Sequence, residues 1–227
     1  MSQNLLKRII TSIILLSLLI FINFTHQYIF VLSILTVGLI ICLEANNLFS
    51  ELLINKYSKK KMVLKQFNTE FFFLNILTFI YIFFVFCNLT YEIYKSESSV
   101  FFLYIISICF FTDIGGYIFG KTIGGKKLSK ISPNKTISGT VGSFIFSIFP
   151  LMLVLNFNYL DLVLDLNNII FCLLISLISQ LGDLFISFIK RKAKIKDTGN
   201  LLPGHGGVLD RVDGIIFAVP FSYFLLK

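Results

Sequence analysis

Six apolar runs divide this chain of 227 residues: Ile9–Phe24, Tyr28–Leu43, Phe71–Cys87, Val100–Phe111, Ser143–Leu155 and Ile169–Leu181. With their flanks they are long enough to cross a bilayer. In lipid every backbone N–H and C=O must find its partner inside the protein, which leaves helices as the simplest spanning form. The fold class expected is all-α, a polytopic helical bundle. Its spans are expected at 8–25, 28–54, 70–88, 99–120, 139–157, 168–190 and 212–226, about seven, with the last short for a full crossing. A hydrophobic share of 56% excludes an ordinary soluble domain. The chain reads as one membrane domain, 1–227. Residues 1–98 form its N-terminal helices, and 99–227 carry two polar loops, 121–138 and 190–211. Lys7 and Arg8 precede the first run as they would in a signal peptide. No small-residue cleavage site follows, so that run reads as a retained helix.

The net charge of +8 invites a nucleic-acid reading, but its distribution argues for a membrane. All but Lys95 and Lys227 of the 20 Lys and Arg fall at Lys7–Arg8, Lys56–Lys65, Lys121–Lys135 and Lys190–Arg211. Alternating crossings place these clusters on one side, as the positive-inside rule requires. The intervening loops carry Glu92, Glu97, Asp161 and Asp165 instead. The N-terminus and both basic loops are therefore expected to be cytoplasmic, with no nucleic acid as partner. Cys42, Cys87, Cys109 and Cys172 all lie in apolar spans, where they read as small hydrophobic side chains.

Three carboxylates, Glu44, Asp113 and Asp183, lie in lipid-facing sequence. Each costs several kcal/mol at mid-membrane unless it has a partner or a polar cavity. At 1.5 Å per residue Asp183 stands roughly 10 Å from Lys190, and Asp113 roughly 12 Å from Lys121. Both then face the basic loops. For Glu44, with only Asn46 and Asn47 near it in sequence, an interhelical hydrogen bond or salt bridge explains the charge equally well. Gln180, Asp183 and Ser187 share one helix face, and Gly182 allows a close helix approach.

Asp210 and Asp213 would share a face if a helix starts at the end of the second loop. Either alone reads as an ordinary cap. Together with Asp183 and a Gly-rich stretch they suggest a hard-cation site, with oxygen ligands favouring Mg²⁺ over zinc. Gly120-Lys121 and Gly124-Gly125-Lys126 do not have P-loop spacing. Loop 121–138 then either draws anionic lipid or holds a phosphate chain with Lys and backbone N–H groups.

The window Ser187-x-x-Lys190-Arg191, Lys196-Asp197, Pro203-Gly204-His205-Gly206-Gly207-x-x-Asp210-Arg211-x-Asp213 closely resembles the signature of phosphatidate cytidylyltransferases. Asp113-x-Gly115-Gly116-Tyr117, Ser132-Pro133-Asn134-Lys135-Thr136 and Gln180-x-Gly182-Asp183-Leu184 resemble that family too. Where the family commonly has Trp-Glu-Gly after the Lys-Thr pair, this chain has Ile137-Ser138-Gly139.

The resemblance implies transfer of a cytidylyl group from CTP to phosphatidic acid, with Mg²⁺ as one ion or two. CTP, phosphatidic acid and membrane lipid are the partners implied, and a homodimer is compatible with them. It implies a bacterial cytoplasmic membrane and a place in phospholipid biosynthesis. Asp183, Asp210, Asp213 and Asp113 are the expected metal ligands. Asp183 and Asp210 also head the catalytic set, with Lys190, Arg191 and Arg211. Ser132, Lys135, Thr136, Ser187, Lys196, Gly204, His205, Gly206 and Gly207 are expected at the substrates, His205 as a loop-fixing donor more than as an acid or base. A CTP-dependent lipid or polyprenol kinase is the alternative enzyme, and a transporter with acids on an ion path the alternative of another class.

Overall fold

A computed structural model describes residues 3–57, 64–129, 132, 135–157, 160 and 162–227. Lys59–Lys61, Pro133, Asn134 and Asp161 lie outside the described residues, as do the side chains of Lys7, Arg8 and Lys65. Among the described residues ten α-helices run in order: α1 Gln3–Asn23, α2 Gln27–Tyr57, α3 Leu64–Ile80, α4 Asn88–Ser96, α5 Ser99–Thr122, α6 Ile137–Ser147, α7 Phe149–Phe157, α8 Leu166–Lys192, α9 Leu209–Val212 and α10 Ile215–Leu226. A π-helical stretch, Tyr81–Cys87, joins α3 to α4. Among the described residues there is no strand. Two isolated bridges, Lys127–Thr136 and Leu202–Gly206, pin the two polar loops.

The expected helical class holds, and the count of seven crossings is not confirmed. Among the described residues five stretches are long and apolar enough to cross: Gln27–Tyr57, Gln66–Ser96, Ser99–Thr122, Ile137–Phe157 and Leu166–Lys192. Ile10–Asn23, the part of α1 whose side chains are described, is an apolar stretch too. The 12 residues of α10 span about 18 Å, well short of a hydrocarbon core of about 30 Å. The crossing at 137–157 is split because Pro150 has no N–H to return to Phe146, so α6 ends at Ser147 and α7 starts two residues on.

The chain forms two compact units. One comprises 1–88 and 189–212, the other 89–188 and 213–227. Large apolar side chains cover the outside as well as the core, and small polar ones share the interior with them. Phe72 and Phe84 are each 68% exposed, while Thr112, Ser143, Ser147, Ser176, Ser179 and Ser222 are buried. Small polar residues inside and large apolar ones outside are what a lipid solvent favours, since helices there approach by close packing rather than by hiding hydrocarbon from water. In the second unit α5 and α6 meet on glycines. A Cβ on Gly139 would lie 2.8 Å from the Gly116 carbonyl, and one on Gly142 would lie 2.8 Å from that of Gly115. The Ser143 hydroxyl donates to the Thr112 carbonyl at 2.8 Å across the same crossing. The protein is an integral membrane helical bundle.

Candidate active site

In the first unit the site is the loop that leaves α8. The helix closes with Ile195 N–H donating to the Lys190 carbonyl at 3.0 Å and Lys194 N–H to Arg191 at 3.2 Å, while Lys194 turns left-handed (φ 57). That is a Schellman closure. Farther on, Leu202-Pro203-Gly204-His205 makes a tight turn, with His205 N–H donating to the Leu202 carbonyl at 2.9 Å. Gly204 sits at φ 78 behind Pro203, as a type II turn requires. Leu202 N–H reaches the Gly206 carbonyl at 2.9 Å, and the chain enters α9.

Two carboxylates hold this loop from opposite directions. The Lys190 ammonium donates to Asp210 Oδ1 at 2.7 Å, with both side chains buried. Asp210 Oδ2 accepts the N–H groups of Thr198 and Gly207 at 2.8 and 3.0 Å. From α2, Glu44 Oε1 accepts Val208 N–H at 2.9 Å and Oε2 accepts Leu209 N–H at 2.8 Å. The Thr198 hydroxyl lies 3.0 Å from Glu44 Oε2 and 3.1 Å from Asp210 Oδ2, so its single proton serves one carboxylate at a time and links the two. Burial by itself works against the charge on Asp210. The Lys190 ammonium and the amides of Thr198 and Gly207 outweigh it and hold the carboxyl below its usual value.

Two glycines of this loop, Gly199 and Gly207, have an internal use. A Cβ on Gly207 would collide with Glu44 Oε2 and lie 2.5 Å from the Thr198 hydroxyl; one on Gly199 would lie 2.8 Å from Glu44 Oε1. The space a side chain would fill belongs to Glu44. The expected site residues around them divide by exposure. Arg211 spends its guanidinium on the His205 carbonyl, Nη2 at 2.6 Å and Nε at 3.1 Å. Arg191 reaches the Ile195 carbonyl at 3.3 Å, and Lys196 is exposed. Both ring nitrogens of His205 meet hydroxyls of α1, Nδ1 with Thr11 at 2.6 Å and Nε2 with Ser12 at 3.2 Å.

The second unit holds a separate cluster. Asp183 pairs with Lys135 and accepts the Ser187 hydroxyl at 3.1 Å, one turn along α8. Lys135 is delivered by the returning arm of loop 121–138, where Leu128 N–H donates to its carbonyl at 2.8 Å and its own N–H reaches the Ser132 carbonyl at 3.1 Å. Thr136 caps α6 by accepting Gly139 N–H at 3.1 Å. The backbone carbonyl of Asp213 would be 2.9 Å from a Cβ on Gly182, so the absence of a side chain there brings Asp213 against the residue preceding Asp183. Asp213 Oδ1 accepts Gly214 N–H at 2.9 Å. Gln180 turns to Ser176 at 3.2 Å rather than to Asp183, and Asp113 is exposed on α5. Among the described residues, no three His, Cys, Asp or Glu side chains gather as a metal cluster.

Sequence reasoning missed Thr198 and left Glu44 undecided. A charge in an apolar run signalled that Glu44 needs partners, but those partners stand 154 to 165 residues away.

The chain is thus a helical membrane protein with a lysine–carboxylate pair buried beneath a Gly-rich loop that carries exposed cations. The chain belongs to the cytidylyltransferase family, whose model matches residues 47–227. It is similar to the phosphatidate cytidylyltransferase of Bacillus subtilis, 43% identical over 129 residues that cover 54% of this chain and 46% of that protein. It is similar also to those of Staphylococcus saprophyticus (41% over 133 residues) and Staphylococcus aureus (42% over 138), each match covering 58% of this chain and 51% of the relative. The chain spans about half the length of these curated relatives.

Proposed function

We propose that the chain transfers a cytidylyl group from CTP to phosphatidic acid. An oxygen of the lipid phosphate attacks the α-phosphorus, the bond from that phosphorus to the β-phosphate bridge breaks, and pyrophosphate leaves with CDP-diacylglycerol as product. The observation that carries this reading is the Lys190–Asp210–Thr198 network with Glu44 behind it, because it gives the family's signature loop one buried, ordered form. The relatives named for the same reaction support it. A lipid phosphate is already an anion near neutral pH, so positioning and charge neutralisation suffice without a strong base.

Arg191, Lys196 and Arg211 supply exposed cations for the phosphates, Arg as a planar fork. Lys135 and Ser187 flank Asp183, with Ser132 and Thr136 shaping the arm that brings Lys135 in. Asp210 holds Lys190 in place through Oδ1, and its Oδ2 takes the amides of Thr198 and Gly207.

The donors of the second unit suit Mg²⁺: oxygen ligands only, with the half-buried Asp183 beside Ser187 and the Asp213 backbone close by. Mg²⁺ commonly takes one or two protein carboxylates and completes its shell with substrate phosphates and water. Asp183 would hold it, with Asp213 and Asp113 in support. When bound, the ion neutralises developing charge on the leaving pyrophosphate. The positive charge of the two basic loops supports a site on the cytoplasmic side of a bacterial membrane, where CTP is available.

Purified chain in detergent with labelled CTP, Mg²⁺ and phosphatidic acid should yield CDP-diacylglycerol and pyrophosphate in equal amounts. A folded sample giving neither, or giving CDP without pyrophosphate, overturns the proposal, the second result in favour of a kinase. Asp183→Asn should remove turnover while leaving the fold intact; near-normal activity would take Asp183 out of the site.

A further inference from the structure

Pro203-Gly204-His205-Gly206-Gly207 offers its neighbours one polar side chain, that of His205. Gly204 and Gly206 both lie at positive φ, 78 and 87, and glycine constrains its own backbone less than any other residue. Whatever fixes this turn must therefore act on its backbone or on the His205 ring. Arg211 holds the His205 carbonyl, through Nη2 at 2.6 Å and Nε at 3.1 Å. The ring is held from α1, within the same unit.

That hold uses both ring nitrogens. Thr11 Oγ1 lies 2.6 Å from Nδ1, and Ser12 Oγ lies 3.2 Å from Nε2. With the proton on Nδ1 the groups form one chain. The Ser12 hydroxyl donates to Nε2, Nδ1–H donates to Thr11 Oγ1, and the Thr11 hydroxyl donates to the Pro203 carbonyl at 3.5 Å. A neutral imidazole places its one donor and one acceptor in this way. Ser17, Ser33, Thr36 and Ser50, also on α1 and α2, turn back to carbonyls three residues earlier in their own helix. Thr11 and Ser12 reach a residue 194 and 193 positions on. Both precede residues 47–227, which carry the family match, so the signature loop is held from outside the matched region.

We propose that Thr11 and Ser12 are positioning residues. They fix the His205 ring, and through the His205 carbonyl they set the Arg211 guanidinium for the substrate phosphates. The role of Arg211 rests on the cytidylyl-transfer reading; the hold on the turn does not. Apolar packing of α1 on the turn would need no hydroxyl, so removing oxygen while keeping shape separates the two explanations.

Thr11→Val keeps the branching of Thr11 and removes its hydroxyl, and Ser12→Ala removes the other. Each neutral hydrogen bond contributes roughly fivefold, so in the full-length double variant in detergent the His205 and Gly206 amides should exchange about 25-fold faster. Both amides donate to the Leu202 carbonyl and so report the turn directly. KM for CTP should rise at least about threefold and by up to about 25-fold, with kcat within about threefold of the parent and the melting temperature unchanged. A partly unfolded sample would lose kcat and keep KM. Thr11→Ser, which retains the hydroxyl, should keep the parental exchange and KM. Exchange or KM within about threefold of the parent in the double variant overturns the proposal. An equal defect in Thr11→Ser overturns it too, assigning the hold to the methyl group. A parent that makes no CDP-diacylglycerol fails the cytidylyl-transfer reading, while the exchange measurement, which needs no CTP, still decides whether the hydroxyls hold the turn.

Discussion

Replacing Glu44 with Gln changes one oxygen to an NH₂ group and removes a charge, at a side chain only 6% exposed. Glu44 accepts three hydrogen bonds, from Val208 N–H, Leu209 N–H and the Thr198 hydroxyl. An amide presents one oxygen to donors on two sides, so at least one loop N–H faces an NH₂ donor. A buried donor left unmatched costs roughly 1–3 kcal/mol, and the surviving bonds lose their charge assistance. The loop's ordered form should therefore weaken by about 2–4 kcal/mol. At 1.4 kcal/mol per factor of ten, that is about 30- to 700-fold in the ratio of ordered to open loop. Hydrogen exchange at Val208 and Leu209 reports this ratio directly and should accelerate by that factor, while amides in the core of α5 should not change. kcat/KM for CTP should fall by up to the same factor, with Glu44→Asp intermediate because it keeps the charge on a shorter stem. Exchange and kcat/KM both within threefold of the parent would refute the idea that Glu44 holds the loop.

Asp210 titrates below the usual carboxylate range because Lys190 and two amides outweigh its burial. Its contribution is therefore complete above the ordinary Asp value near ~3.9 and is lost only as pH falls through the lower folded value. Protection of Thr198 and Gly207 N–H should be flat from pH 5 to 8 and fade only below about pH 4, a profile measurable by exchange. Gly207→Ala should displace Glu44 and reproduce the Glu44→Gln defect in the CTP assay, and the double variant should be less than additive, since both break one set of contacts. His205→Gln should keep kcat/KM within about tenfold and leave the pH–rate profile unshifted, because both ring nitrogens are engaged by Thr11 and Ser12. A lost limb in that profile would instead make His205 a proton carrier.

The helical membrane fold was legible from the apolar runs because a spanning segment must satisfy its own backbone, and that need is written locally. The expected spans lie close to the observed helices, and α10 is short for a crossing, as its apolar stretch in the sequence suggests. Ser187 beside Asp183 followed from helical periodicity alone. Lys135 beside Asp183 did not, because it depends on how loop 121–138 folds back along the bridge at Lys127 and Thr136. That a side chain on Gly207 would collide with Glu44 was not legible in the sequence, because the two stand far apart along the chain.

The sequence by itself determined that this chain is a bundle of membrane helices with two basic loops, and which residues of those loops carry its family signature. Only the tertiary structure decided that an acid from α2 grips the signature loop and that Asp210 faces inward to Lys190. Periodicity and composition act over one turn or one span, whereas a buried carboxylate takes whatever donors the folded chain brings within 3 Å, however distant they are in sequence.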